Sequence, residues 1–161
     1  MRRRGLFTVR AWGNMPTLAV RPWQLRNAKS NPMSTAATPG AEGAQSHFEV
    51  VIVGAGFSGL LCASYLRDGG VDDVRIFEMT PSVGGVWSNG GVGAYPGAAC
   101  DVPSYMYLPF LDRTGFIPSK KYVSQPEISS YAEMLTDHVG IRDTIRFSRK
   151  VTEFKYIGDG D

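Results

Sequence analysis

The feature of this sequence that most constrains its fold is a glycine-rich turn that directly follows a short run of β-branched residues. The stretch VVIVGAGFSGLL starts at Val50, and Gly54, Gly56 and Gly59 form a GxGxxG pattern within it. The VVIV run predicts a strand that is buried on both faces, as in a parallel sheet. A lone GxGxxG is weak support for any function, because many tight turns use several glycines. The residues around it therefore decide its meaning.

The sequence after the glycines completes a β-α-β pattern. Apolar and small residues from Leu60 to Leu66 have the spacing of a helix packed on a sheet, and a Gly-Gly pair closes that helix. The run VRIF then predicts a second strand, which ends at Glu78. A strand, a glycine-rich turn, a helix and a second strand with an acid at its end together predict a Rossmann-like α/β fold that binds a dinucleotide.

Each residue of the turn has a physical task in such a site. Gly54 permits the tight turn, Gly56 lets the backbone approach a pyrophosphate, and Gly59 allows the helix to pack closely on the strand. The amides of Phe57, Ser58 and Gly59 then point at the anion from the positive end of the helix dipole.

Glu78 indicates which dinucleotide is bound. We expect its carboxylate to accept hydrogen bonds from the adenosine ribose hydroxyls. An acid at this position repels a 2′-phosphate, so the site favours FAD or NAD over NADP.

Residues 79–122 are rich in Gly and Pro but also contain several aromatic residues, which argues against disorder. A loop of that length in a compact domain is expected to be functional, and we expect it to cover part of a site. Near its start lies the run VGGVW, from Val83 to Trp87. The glycine pair there indicates either a second backbone approach to a ligand or an ordinary loop. Trp87 either packs on a flat ring or belongs to the core.

The C-terminal part predicts one helix and two strands. The run SQPE from Ser124 has the features of a helix start, and apolar residues at helical spacing continue to a helix end near Gly140. Residues 144–147 and 150–156 predict strands. The run Gly158-Asp-Gly160 predicts a turn and a returning strand, and none follows, so we expect the domain to be incomplete at its C-terminus.

The first part of the chain has a different composition. It contains six arginines and Lys29 before its first acid, Glu42, and it shows no sustained period. We therefore predict a disordered basic leader over residues 1–46 and the truncated domain over residues 47–161. Three interpretations of the leader stay open: an organelle presequence, a basic contact arm, or a segment upstream of a true start at Met33. We expect a cytoplasmic protein, or a mitochondrial one if residues 1–41 are a presequence.

Composition excludes several other kinds of function. The two cysteines, Cys62 and Cys100, form no CxxC pair, and the two histidines lie far apart, so no metal site is predicted. We interpret Cys100 as a small buried apolar residue. No apolar run approaches the roughly 18 residues of a membrane-spanning helix. We expect no nucleic-acid partner.

Five motifs occur in a fixed order: GAGFSG, a strand-terminal Glu, GGVW, YPGAACDVPS, and SQPEI before a helix. In this order they resemble the FAD-binding half of the class B flavoprotein monooxygenases, which are the Baeyer-Villiger and flavin-containing monooxygenases. The resemblance covers residues 48–156. It implies FAD as the cofactor, NADPH as the electron donor, and O2 with a small organic substrate as the reacting partners.

The resemblance also implies further site residues. It points to Gly85, Val86 and Trp87 as contacts of FAD. Asp101 is the candidate active-site acid, since the matching aspartate of Baeyer-Villiger members supports a catalytic arginine; otherwise it is a turn or helix-cap acid. Tyr107 is either an FAD contact or a packed aromatic residue.

This sequence departs from the family pattern in two respects. The link SNGGVGA between Trp87 and Tyr95 is longer and richer in glycine than the usual link. A second GxGxxG for NADPH is absent, so we expect the FAD-binding part of an NADPH-dependent monooxygenase that is inactive by itself. Two alternatives stay open: a non-catalytic truncated nucleotide-binding remnant, or another FAD-dependent oxidoreductase, among which the missing CxxC disfavours a disulfide reductase.

Overall fold

The computed structural model describes residues 6–11, 18–20, 47–89 and 95–157. Within these residues the strands form a four-stranded and a three-stranded sheet. The strands are β1 (Leu6–Ala11), β2 (Leu18–Val20), β3 (His47–Phe48), β4 (Val50–Val53), β5 (Val74–Phe77), β6 (Ile145–Arg146) and β7 (Val151–Ile157). The α-helices are α1 (Phe57–Asp68), α2 (Ser104–Tyr107), α3 (Leu111–Thr114) and α4 (Gln125–His138). The fold is α/β, as the sequence predicts.

The smaller sheet carries the glycine-rich turn. Its strands lie in the order β4-β5-β6, and both pairs are parallel. Because α1 follows β4 and leads to β5, the predicted β-α-β unit is confirmed. β4 and β5 pair in register from Val50 opposite Val74 to Val53 opposite Phe77. The carboxyl ends of the two strands therefore lie side by side, which brings Glu78 next to the turn.

A buried apolar core holds α1 against this sheet. Leu60 and Ala63 of α1 belong to one cluster with Ile76 of β5 and Ile145 of β6. Burying a large aliphatic side chain stabilises the fold by roughly 1.5–3 kcal/mol. The apolar spacing in α1 thus fixes the helix on the sheet, while Cys62 on the same helix is exposed.

A second core cluster joins α4 to residues 79–122. Ile128, Tyr131 and Leu135 of α4 pack with Cys100 and Leu108. The helix predicted to start at the SQPE run is confirmed, and Cys100 is buried, as predicted. The long Gly- and Pro-rich segment therefore packs its own apolar residues onto the fold.

The larger sheet includes strands from residues 1–46, a segment that the sequence predicts to be disordered. Two segments of that leader, β1 and β2, are strands. β1 pairs antiparallel with β7, with Phe7 opposite Tyr156 and Val9 opposite Phe154, and also with β2. Local periodicity does not reveal a partner so distant in sequence, which explains the difference. The rest of the leader, including Met33, lies outside the described residues, as does the predicted turn at 158–160.

None of the helices within the described ranges combines the length and the apolar character that a membrane span requires. The longest of them, α4, has 14 residues.

Candidate functional site

The turn after β4 has the backbone geometry that its glycines predict. Gly54 has a φ of +94°, which an L side chain rarely adopts. Its amide donates a hydrogen bond to the carbonyl of Phe77 at 2.8 Å, so the turn begins directly at the edge of the parallel sheet. The chain thus leaves β4 at the carboxyl edge of the sheet, where open α/β folds bind their ligands.

Gly59 lies in direct contact with the turn. A Cβ placed at Gly59 would lie 2.1 Å from the carbonyl oxygen of Gly54, a distance that no real side chain shows. This is the close packing of helix on strand that the sequence predicts for Gly59. The position of α1 against β4 therefore depends on the absence of a side chain there.

The start of α1 presents backbone amides to the space beyond the sheet. The amide of Leu60 donates to the carbonyl of Gly56 at 3.0 Å, which is the first turn of the helical ladder. The amides of Phe57, Ser58 and Gly59 precede it and have no carbonyl one turn earlier to bond. The first turn contains no acidic residue that would oppose an anion. These amides are suited to hold a phosphate.

The second glycine pair lies against the first motif. A Cβ on Gly85 would lie 3.1 Å from the Cα of Gly56, and Gly85 has a φ of +59°. The amide of the preceding Gly84 donates to the carbonyl of Ala55 at 2.9 Å. The backbones of GAGFSG and GGVW therefore touch, so two segments that the sequence places in one site do meet.

Glu78 lies beside the same turn and is only 4% exposed. Its Oε2 accepts a hydrogen bond from the amide of Ala55 at 2.7 Å. Its Oε1 accepts from the amide of Thr80 at 2.7 Å and from the Thr80 hydroxyl at 2.8 Å. The acid is placed as expected, next to the glycine loop, but it already has partners within the chain. Its contact with ribose stays a prediction.

Three predicted site residues form an aromatic cluster at the start of α1. The ring centroid of Tyr107 lies 6.1 Å from that of Phe57 and 5.9 Å from that of Trp87, both edge to face. The indole Nε1 of Trp87 also donates to the Tyr107 hydroxyl at 2.6 Å. Tyr107 thus packs on its neighbours while remaining 37% exposed, and Val86 beside Trp87 is 57% exposed. The cluster offers an aromatic wall next to the amides of α1.

Asp101 is exposed. Among the described residues it makes no hydrogen bond or ion pair. The N-cap of the following helix, α2, is Pro103, without a side-chain cap. The helix-cap interpretation of Asp101 therefore has no support, and its role as an active-site acid stays a prediction.

Sequence reasoning missed several residues that organise the site. Ala55 connects the turn to both Glu78 and Gly84, and Thr80 holds the Glu78 carboxylate. Gln125 in the SQPEI motif donates from Nε2 to the carbonyl of Trp87 at 2.7 Å. Ala55 and Gln125 lie within motifs that the family resemblance includes, GAGFSG and SQPEI, whereas Thr80 had no such signal.

A cavity of about 530 Å³ lies next to the start of α4. Ser88 and Gln125 line it, together with residues 95–98. Ser88 is fully buried, and its hydroxyl has no hydrogen-bond partner in the part of the chain that the structure describes. Ser88 and Asn89, the first two residues of the glycine-rich link, line this cavity, and residues 90–94 of the link lie outside the described residues.

Comparison with known proteins first defines the class. Residues 52–114 match the family model of the NAD(P)-binding Rossmann-like domain. That region contains the glycine turn, α1, Glu78 and the GGVW segment. The chain therefore contains a Rossmann-like α/β domain with parallel strands.

Similarity to individual proteins gives a more specific class than the Rossmann-like domain. Baeyer-Villiger monooxygenase 4 of Dietzia sp. (strain D5) is 32% identical over 127 residues, which are 79% of this chain and 20% of that protein. The FAD-binding monooxygenase ausB of Aspergillus calidoustus is 34% identical over 152 residues, which are 90% of this chain and 24% of that protein. A solved structure of oxidized steroid monooxygenase bound to NADP is 38% identical, with a TM-score of 0.59, over 70% of this chain and 23% of that one.

Over most of its own length the chain is similar to FAD-binding and Baeyer-Villiger monooxygenases. It spans about a fifth to a quarter of the length of these relatives. The resemblance stated from the five motifs is confirmed.

Proposed function

We propose that this chain binds the ADP part of FAD at the turn between β4 and α1. The observation that carries the proposal is the contact between the backbones of GAGFSG and GGVW. A Cβ built on Gly85 would lie only 3.1 Å from the Cα of Gly56. Two glycine backbones stand together beside the amides of Phe57 and Ser58, and no Cβ shields them. This arrangement fits a pyrophosphate, which needs close backbone approach and a helix N-terminus.

The residues of the chain have separate roles in holding FAD. The amides of Phe57, Ser58 and Gly59 bind the pyrophosphate, and Glu78 binds the adenosine ribose. Trp87, fixed by Tyr107, orients the flavin end and excludes water from it. Bound FAD supplies the electron transfer from NADPH to O2 that amino-acid side chains do not perform.

We further propose that this region serves as the FAD-binding part of an NADPH-dependent monooxygenase. Its substrate would be a small organic molecule that is oxygenated at a ketone or at a nitrogen or sulfur centre. The names of the relatives support this proposal, as does the order of the five motifs. Asp101, which is exposed, is the candidate active-site acid. We expect no turnover by these 161 residues alone, since their sequence contains a single GxGxxG.

The proposal is tested by titrating the purified 161-residue chain with FAD. We expect saturable binding, with bound-flavin absorbance bands and quenched flavin fluorescence. Gly56→Val is expected to abolish binding, because its branched side chain fills the space that the pyrophosphate requires. Cys62→Ser on the exposed face of α1 is the matched control and should bind as the wild type does.

Circular dichroism of each variant separates binding from folding. A folded wild-type chain that does not bind FAD would contradict the proposal and favour a non-catalytic remnant. Equal loss of binding in Gly56→Val and Cys62→Ser would show that the glycine turn is not part of the binding site.

A further inference from the structure

The carboxylate of Glu78 is the most heavily hydrogen-bonded group of the candidate site. It is 4% exposed, so its charge requires partners within the protein. The amide of Ala55 donates to Oε2, and both the amide and the hydroxyl of Thr80 donate to Oε1. All three donor distances are 2.7 or 2.8 Å.

A carboxylate oxygen has two lone-pair positions, so the two donors of Thr80 fill Oε1 of Glu78. Oε2 accepts one bond from Ala55 and has one position left. A ribose whose two hydroxyls both donate hydrogen bonds to this carboxylate therefore finds only one free lone-pair position. The second hydroxyl has to take a position that Thr80 holds.

Thr80 has an alternative acceptor at the same distance. Its Oγ1 lies 2.8 Å from the carbonyl oxygen of Ser82 and 2.8 Å from Oε1 of Glu78. A hydroxyl carries a single proton and donates fully to one of these acceptors at a time. The Thr80 hydroxyl can therefore leave Glu78 and still donate a hydrogen bond.

We propose that the hydroxyl of Thr80 holds the position of a ribose hydroxyl on Glu78 and yields it when the nucleotide binds, turning to the carbonyl of Ser82. This inference rests on the proposed binding of FAD at the same turn. Thr80 is then a positioning residue that competes with the ribose for Glu78. It keeps the buried carboxylate satisfied until the ribose arrives.

Competition between Thr80 and the ribose predicts that loss of the Thr80 hydroxyl raises nucleotide affinity, whereas a purely structural role of Thr80 does not. Thr80→Val removes the hydroxyl while keeping the branched shape and the amide donor. The free protein then loses a hydrogen bond at Glu78, whereas the complex, in which the ribose supplies that bond, loses less. Because binding affinity reflects the difference between the two states, the variant should be less stable and yet bind more tightly.

The experiment uses the full 161-residue chain and calorimetric titration with ADP, which carries the ribose without the flavin. We expect Thr80→Val to bind ADP roughly threefold to tenfold more tightly than the wild type, the range that one hydrogen bond represents. Its melting temperature should fall. Thr80→Ser keeps a hydroxyl and should restore both values.

Two controls make the result specific. With 2′,3′-dideoxy-ADP, which has no ribose hydroxyl to donate, wild type and Thr80→Val should bind equally. Thr136→Val removes a buried threonine hydroxyl that bonds Ala132 within α4. It should lower the melting temperature and leave the ADP affinity unchanged.

An unchanged or weaker ADP affinity in Thr80→Val would overturn the inference, as would an equal gain with 2′,3′-dideoxy-ADP. Thr80→Ala serves the same test if the valine variant does not fold. A folded wild-type chain that binds neither ADP nor FAD would overturn the proposed function, and this inference with it. A wild type that binds, without a gain in the variant, would overturn this inference alone.

Discussion

The β-α-β unit at residues 50–77 and the Gly- and Pro-rich segment at residues 79–122 build the same site by different means. In the unit, the decisive contact joins Gly54 and Gly59, which are close in sequence, through backbone atoms alone. In the segment, Trp87 is held by Tyr107 and by Gln125, which lie far along the chain. The phosphate-facing backbone is thus fixed locally, whereas the ring-facing side chains depend on distant partners.

Gly59→Ala should break the first half of this comparison and have the largest effect. The new Cβ would lie 2.1 Å from the Gly54 carbonyl oxygen, so the helix has to move off the turn. We expect a loss of at least about 4 kcal/mol in the free energy of unfolding, measured by denaturant titration with circular dichroism. Gly56→Ala is the control, because its Cβ would lie at 3.6 Å from Gly85, an ordinary contact. Equal stability of the two variants would show that the turn relaxes.

Ser104→Ala tests the second half of the comparison. The buried Ser104 hydroxyl donates to the carbonyl of Lys121 at 3.0 Å and accepts from the amide of Val123 at 2.9 Å. Leaving such groups unpaired costs about 1–3 kcal/mol. We expect faster tryptic cleavage after Lys121 and a lower melting temperature, with Ser130→Ala on the exposed face of α4 as the control. Unchanged cleavage would mean that the segment does not depend on this hydroxyl.

Tyr107→Phe sharpens the comparison at the flavin-facing side. It removes the acceptor of the Trp87 indole and keeps the ring contacts with Phe57 and Trp87. We expect FAD to bind roughly twofold to fivefold more weakly, since Trp87 is held less firmly, while stability falls by at most about 1 kcal/mol. Tyr105→Phe, at a ring that is 61% exposed, should change neither quantity. An equal effect in both variants would show that the hydrogen bond between Trp87 and Tyr107 does not contribute to FAD binding.

Asp137→Asn, outside both regions, should have the smallest effect. A hydrogen bond from Arg142 lowers the pKa of Asp137. A lowered folded-state pKa stabilises the protein above the unfolded pKa of about 3.9, and this stabilisation is lost as the pH falls through the folded value. The pair is exposed, so wild type and variant should differ by less than about 1 kcal/mol at pH 7 and converge in acid. FAD affinity should not change; a change would connect the C-terminal end of α4, far from Gln125 along the helix, to the site.

Sequence reasoning predicted the parts of the fold that follow local rules. The β-branched run of β4, the apolar spacing of α1 and the acid after β5 define the β-α-β unit without knowledge of any distant residue. The motif order also named Trp87 and Tyr107. The hydrogen bond between these two side chains could not be predicted, because the sequence does not show which side chains come into contact across a loop. The same holds for Thr80 on Glu78.

The pairing of β1 with β7 also determines when the fold can be finished. Residues 6–11 precede the β-α-β unit along the chain and their partner strand at residues 151–157 follows it, so during synthesis this part of the sheet forms after that unit is complete. Closing so large a loop adds only about 0.6 kcal/mol for each doubling of its length, yet contacts between distant residues slow folding. Until then both strands have unpaired edges, which favour association between unfinished molecules. We therefore expect refolding yield to fall with protein concentration through this pair of strands, and the glycine turn to form early and independently of it.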